Sequence, residues 1–169
     1  HSMGEHQLAV NSIKKSLKLD KKLFQSYYSL GIIYTDMNEH DKAVESYIKA
    51  LEINNESSEA HNNLANLFGY LNNPEAEYHY KKTIELNPNE IYPRLNMSNY
   101  LIKNNKFEES LKQLQEILDM GLESKEVYNS LGVSYKGLND DKNASKMFKK
   151  SLQIDPDFSL AQKNLDSLD

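Results

Sequence analysis

An all-α fold, a stack of helical hairpins, is predicted by three features of the 169-residue sequence. A short segment recurs at near-constant spacing, a second apolar pattern with helical steps follows each copy, and turn-forming residues are confined to the gaps. The recurring segments are 28–34, 62–68, 95–101 and 129–135. Each carries a bulky apolar residue followed by a small one, and the small residues Gly31, Ala65, Ser98 and Gly132 lie 34, 33 and 34 positions apart. A fixed period of this length marks a repeat architecture, in which each unit buries its apolar face only by stacking on a neighbour.

The elements follow in order. Stepping back one period from Ala43 and Leu51 reaches Ala9 and Leu17, which predicts a lone second helix over 5–20 and a chain that opens inside a repeat. The preceding His1-Ser2-Met3 reads as a vector remnant, leaving 4–169 as a single array. Complete repeats are predicted at 24–57, 58–90, 91–124 and 125–158, each with a first helix A and a second helix B. Helix B has Ala43, Tyr47, Ala50 and Leu51 in the first, and Ala76, Tyr80, Thr83 and Ile84 in the second. It has Ser110, Leu114, Ile117 and Leu118 in the third, and Ala144, Phe148, Ser151 and Leu152 in the fourth. Steps of four, three and one place these side chains on one helix face.

Turn clusters separate A from B at 36–39, 71–74, 103–105 and 137–140. Pro74 suits a first helical turn behind Asn73, and Asn105 with Glu108 has capping-box spacing. Pro88 and Pro156 punctuate the repeat ends. Residues 159–168 follow the A pattern but put Asp166 where the small residue belongs, so this helix is expected to cap the array.

The small residue in A, the Ala and aromatic in B, and the Pro at the junction resemble the tetratricopeptide repeat across nearly all the chain. The resemblance implies a right-handed superhelix of ten helices, with A helices lining a concave groove. The third repeat departs from the family pattern at Met97, Ser98, Leu101 and Ser110, and its exit at Gly121 is irregular, so locally altered packing is expected there.

Composition narrows the function. Twenty Lys and Arg against 25 Asp and Glu give a net charge of −5, and the signs are interspersed, with no basic stripe for nucleic acid. Cysteine is absent, which excludes disulfides and thiolate metal sites. No apolar run approaches the roughly 20 residues of a membrane span, so no membrane insertion is expected and the location is expected to be cytoplasmic. No phosphate loop and no catalytic constellation occurs, no cofactor or metal is implied, and His61 and His79 read as packing or solvated histidines.

What remains is a binding surface. Opposite the apolar stripe of Ala60, Leu64, Leu67 and Phe68 stand Glu59, Asn62, Asn63, Asn66 and Tyr70. Stepping by repeats from Asn63 extends the row to Ser29, Asn96, Ser130 and Asn164, and stepping from Asn66 gives the column Ile32, Asn99 and Val133. The candidate peptide-binding residues are Tyr28, Ser29, Glu59, Asn62, Asn63, Asn66, Tyr92, Asn96, Asn99, Asn129 and Ser130. An Asn amide both donates and accepts, so such a row can pair with the backbone of an extended peptide; the other reading is that asparagine, present 19 times, is this chain's default surface residue. If the row is for recognition, truncating Asn63 or Asn96 should leave stability nearly unchanged.

The row resembles the asparagine-lined arm of O-linked N-acetylglucosamine transferase. The basic clamp that chaperone-binding relatives use is missing from Gln25, Tyr28, Asn62, Glu126 and their equivalents. Arg94, in the slot of Tyr27, His61 and Tyr128, points to packing. These residues indicate a non-catalytic scaffold or adaptor that holds an extended peptide or helix of a partner protein. The alternative is the targeting arm of a larger enzyme such as a glycosyltransferase. The unpaired helix around Val10, Ile13 and Leu17 leaves self-association open.

Overall fold

The computed structural model describes residues 3–168. Of the proposed vector remnant only Met3 falls within them. Ten α-helices and no strand occur among the described residues: α1 (Met3–Leu19), α2 (Phe24–Asp36), α3 (His40–Ile53), α4 (Ser58–Tyr70), α5 (Ala76–Leu86), α6 (Ile91–Lys103), α7 (Phe107–Asp119), α8 (Lys125–Gly137), α9 (Asp141–Ile154) and α10 (Ser159–Asp166). The chain divides into two compact units that meet in sequence at Pro88 and Asn89.

In the first unit α1 packs on α2, α2 pairs with α3, and α4 pairs with α5. The hairpin α2/α3 closes where the small slot of A receives the aromatic of B. A Cβ added to Gly31 would stand 2.5 Å from the Tyr47 ring, and Tyr47 is buried. Val10 anchors α1, buried to 1% exposure, while Leu19 at the helix end is 92% exposed.

In the second unit α6 pairs with α7 and α8 with α9, and α10 packs on both α8 and α9. Leu95, Leu114, Ile117, Val127, Tyr128 and Leu131 form its core. Phe148, fully buried, lies on Gly132. In the departing third repeat the buried hydroxyls find partners: Ser98 Oγ donates to the Leu95 carbonyl at 2.8 Å, and Ser110 and Ser134 hydroxyls pair at 3.0 Å. A polar group this deep costs stability unless bonded, and these bonds let Ser stand in slots that hold Gly or Ala elsewhere. Asp166 is exposed on α10.

The turns explain part of the asparagine excess. Asn38, Asn72, Asn105 and Asn139 all have φ between 57° and 60°, the left-handed region that Asn tolerates better than most residues. Each stands one residue past its helix cap, where two backbone bonds close the helix end. For α2 these are Asn38 N–H to the Thr35 carbonyl at 3.0 Å and Glu39 N–H to the Tyr34 carbonyl at 2.8 Å. This is a Schellman closure, and it recurs after α4, α6 and α8. Asn105 therefore ends α6 and does not cap α7, whose N-cap is Lys106 without a side-chain bond, so the expected capping box does not form. Asn73 accepts from the Glu75 N–H at 2.9 Å ahead of α5.

The helix exits B to A differ. Asp20, Asn54 and Asp155 each accept the N–H two residues on, in Asx turns. At the end of α7 the same register position holds Gly121 at φ 75°, which closes α7 by a Schellman pair instead. The irregular exit is thus a change of capping motif.

Candidate functional site

The A-helix faces carry the polar row, and in the structure much of that row is bonded to itself. In the first unit Asn63 Nδ2 on α4 donates to the Tyr28 hydroxyl on α2 at 3.1 Å, and the Tyr80 hydroxyl of α5 donates to Asn66 Oδ1 at 2.8 Å. Ser29 and Glu59 are engaged locally, with Gln25 at 3.5 Å and Ser57 at 3.1 Å. Asn62 is half-buried, and its Oδ1 has no hydrogen-bond partner. In the second unit Ser130 donates to Asn99 at 3.0 Å, and Asn164 donates to Asn129 at 2.9 Å. Asn129 and Ser130 are buried, Asn96 is half-buried and Tyr92 is 71% exposed.

These bonds change one expectation. Asn63 ties two neighbouring A helices together at a half-buried site, so Asn63→Ala should cost about 1 kcal/mol of stability. A thermal melt indistinguishable from wild type would show that the bond contributes nothing.

The first unit also contains a cleft of about 510 Å³. Ile32 and Asp36 of α2 and Asn63, Asn66, Leu67 and Tyr70 of α4 line its two sides, and Tyr47 of α3 reaches it from the hairpin. His40 packs against Tyr70, the rings tilted by 56° with centroids 5.2 Å apart. Thr35 is held by its bond to the Gly31 carbonyl at 2.8 Å and pairs with the Tyr47 hydroxyl at 3.5 Å. Burial raises the pKa of Tyr47, and burial followed by the charge of Glu59 raises that of Tyr28. Both phenols therefore stay protonated and available as donors at neutral pH. An apolar concavity with a few oriented polar groups is the usual form of a binding site.

Of the sequence candidates, Asn63 and Asn66 line this cleft, and Tyr28 braces Asn63. Ile32, Asp36 and His40 were not among the sequence candidates. Ile32 was visible as the apolar member of the Asn66 column, whereas Asp36 and His40 flank a turn that carries no groove periodicity.

Two other clusters are structural. His61 and His79, 5% and 9% exposed, face each other with Nδ1 atoms 2.8 Å apart, and His61 Nε2 lies 3.1 Å from the Asn55 carbonyl. Burial, and then the neighbouring His61, lower the His79 pKa to about 4. Arg94 Nε stands 3.7 Å from Glu116, with the side chain 11% exposed. At the matching repeat positions Lys49 lies over Tyr27 and Lys150 over Tyr128, so the third repeat replaces a cation–aromatic contact by an ion pair. No group of His, Asp or Glu among the described residues is arranged to hold a metal.

Residues 24–57 and 125–158 each match a model of the tetratricopeptide repeat. Together with the hairpins, the period and the ring-on-glycine closure, these matches decide the family. This is a tetratricopeptide-repeat protein. Its repeats form an all-α solenoid fold, and solved tetratricopeptide structures resemble it over most of its length. YrrB, described as a tetratricopeptide protein with an unusual peptide-binding site, is 24% identical and superposes over 96% of this chain and 84% of its own with a TM-score of 0.85. MamA is 22% identical over 92% of each chain, with a TM-score of 0.85. PilF of Pseudomonas aeruginosa is 25% identical over 88% of this chain and 68% of its own, with a TM-score of 0.74. No curated protein matches the sequence. No helix among the described residues is long and apolar enough to cross a membrane.

Proposed function

We propose that this tetratricopeptide-repeat protein is a non-catalytic scaffold, and that it holds an extended segment of a partner protein in the cleft between α2 and α4. The observation that carries this reading is the cleft itself. It offers exposed Ile32 and Tyr70 as apolar anchors beside Asn63 and Asn66, whose amides retain bonding capacity. Asn63 has spent one N–H on Tyr28 and Asn66 its oxygen on Tyr80, which leaves an acceptor on the first and a donor pair on the second. The peptide-binding site in YrrB's description supports the same use of this fold. The division into repeats at 24–57, 58–90, 91–124 and 125–158 belongs to the same proposal, with Asn62, Asn96, Asn99 and Tyr92 as further A-helix contacts.

Peptides selected on the intact protein from a random display library test the reading. Ile32→Glu should weaken the selected peptides at least about tenfold, which corresponds to about 1.4 kcal/mol. Ile48→Glu, at an exposed position of α3 outside the cleft, should leave affinity unchanged. The reverse pattern would place binding on the B helices and contradict the proposal.

A further inference from the structure

Because the protein consists of repeats, each site has an internal counterpart two repeats on. Ile32, Asp36, His40 and Tyr70 of the cleft correspond to Asn99, Lys103, Phe107 and Gly137 of the second unit. There the Phe107 ring lies directly on Gly137, where a Cβ would overlap it, so an aromatic ring covers the position from which Tyr70 projects in the first unit. The charge is reversed as well, Lys103 standing for Asp36. The cleft of the first unit thus differs from its own counterpart in shape, apolarity and charge.

Asp36 is the charged residue that sets the cleft's chemistry. It lines the cleft, and its carboxylate has no ion-pair or hydrogen-bonding partner among the described residues. No Lys or Arg lines the cleft, so no cation within it neutralises Asp36, as Lys42 does for Glu39 and Lys49 for Glu45. The apolar anchor Ile32 stands four residues earlier on the same helix, about 6 Å along its axis at 1.5 Å per residue. An extended peptide advances about 3.3 Å per residue and puts alternate side chains on one face, so its side chains two apart are separated by nearly the same distance.

We infer that the cleft is selective for an extended peptide in which an aliphatic or aromatic residue and a Lys or Arg are two positions apart, the apolar side chain meeting Ile32, Leu67 and Tyr70 and the cation meeting Asp36. This rests on the proposed groove binding and adds the identity of the occupant. Charge complementarity of this kind fixes partner and register, and the free hydrogen-bonding positions of Asn63 and Asn66 serve the peptide backbone whatever its sequence.

Random-peptide selection on the wild-type protein, followed by fluorescence polarisation with the selected peptides, tests the inference. The expected result is enrichment of Lys or Arg two positions from an apolar residue. Asp36→Asn should weaken these peptides about fivefold at low salt and much less at high salt. Selection repeated on Asp36→Lys should favour Asp or Glu at the same offset. Both substitutions are at a side chain without a partner to lose, and an unchanged melt shows that the fold is intact. Peptides that depend on Ile32 but show no basic enrichment and ignore Asp36→Lys overturn the inference while leaving groove binding standing. Enrichment of acidic residues on the wild type, or of helical apolar spacing, overturns it equally. Peptides indifferent to Ile32→Glu, or a selection that yields no binders, overturn both.

Discussion

Phe148→Ala should lower stability by about 3–5 kcal/mol, the largest effect expected from any single truncation in the second unit. Phe148 is fully buried, and its ring closes the α8/α9 hairpin by lying on the bare backbone of Gly132. Removing the ring deletes the contact and leaves a cavity lined by helix backbone, which cannot move in without shifting both helices. For a chain of this size about 4 kcal/mol corresponds to a fall of roughly 10 °C in Tm. The converse change, Gly132→Ala, inserts a methyl where the ring sits and should cost about 1–3 kcal/mol, reduced by the better helix propensity of Ala. The two changes should be strongly non-additive, because the methyl that Gly132→Ala introduces enters space that Phe148→Ala has emptied. Additive losses in a double-mutant cycle would show that ring and glycine do not form one contact.

Acid should destabilise the protein through a pair of histidines well above the range in which its carboxylates titrate. His61 Nε2–H donates to the Asn55 carbonyl, so the neutral ring has only Nδ1 to accept with, and His79 donates to it through Nδ1–H. A second charge has no acceptor there. Phe68 and Tyr78 pack against the rings, and Lys82, the cation whose charge bears on His61, opposes protonation further. Burial lowers both pKa values, that of His79 to about 4 against 6.5 when unperturbed.

The unfolded chain therefore binds more protons than the folded one between these values. The His79 contribution is fully present above pH 6.5, is lost as pH falls toward 4, and changes no further below that. From the His79 shift alone the loss at pH 5 relative to pH 7.5 is about 2 kcal/mol. Glu45, Asp140 and Asp155, held below the ordinary carboxylate value by Lys49, Asn143 and Lys125, lose their contribution only below about pH 5. Denaturant midpoints measured between about pH 5 and 7.5 should fall steeply for the wild type and be nearly flat for His61→Gln combined with His79→Gln. An equal fall in the double variant would assign the acid sensitivity to other groups.

The helices were legible because stacking demands the same small, apolar and turn residues at the same place in every hairpin. Gly31 and Gly132 could be read as close-approach sites, although the partner they meet is an aromatic of B and not the facing alanine. The asparagines were harder. The same side chain serves as a left-handed helix end at Asn38 and Asn139, as a link between A helices at Asn63, and as a cleft wall at Asn66. Nothing in residue type separates these uses, since backbone conformation and cross-repeat distance exist only after folding. The cleft was hidden for a related reason. It arises from one repeat failing to fill what another fills, Tyr70 with His40 against Gly137 with Phe107, and a period search rewards likeness over difference. The histidine pair depends on the crossing of α4 and α5, which brings Nδ1 atoms 18 residues apart in sequence to hydrogen-bonding distance.

Side-chain amide NMR of the intact protein, titrated with a selected peptide, tests the central claim most directly. Binding in the cleft predicts that the Nδ2–H signals of Asn63 and Asn66 and the backbone signals from Ile32 to His40 shift and saturate together with the measured affinity, while those of the outer faces of α3 and α9 stay in place. Shifts confined to the B helices, with Asn63 and Asn66 unmoved at saturation, would contradict it.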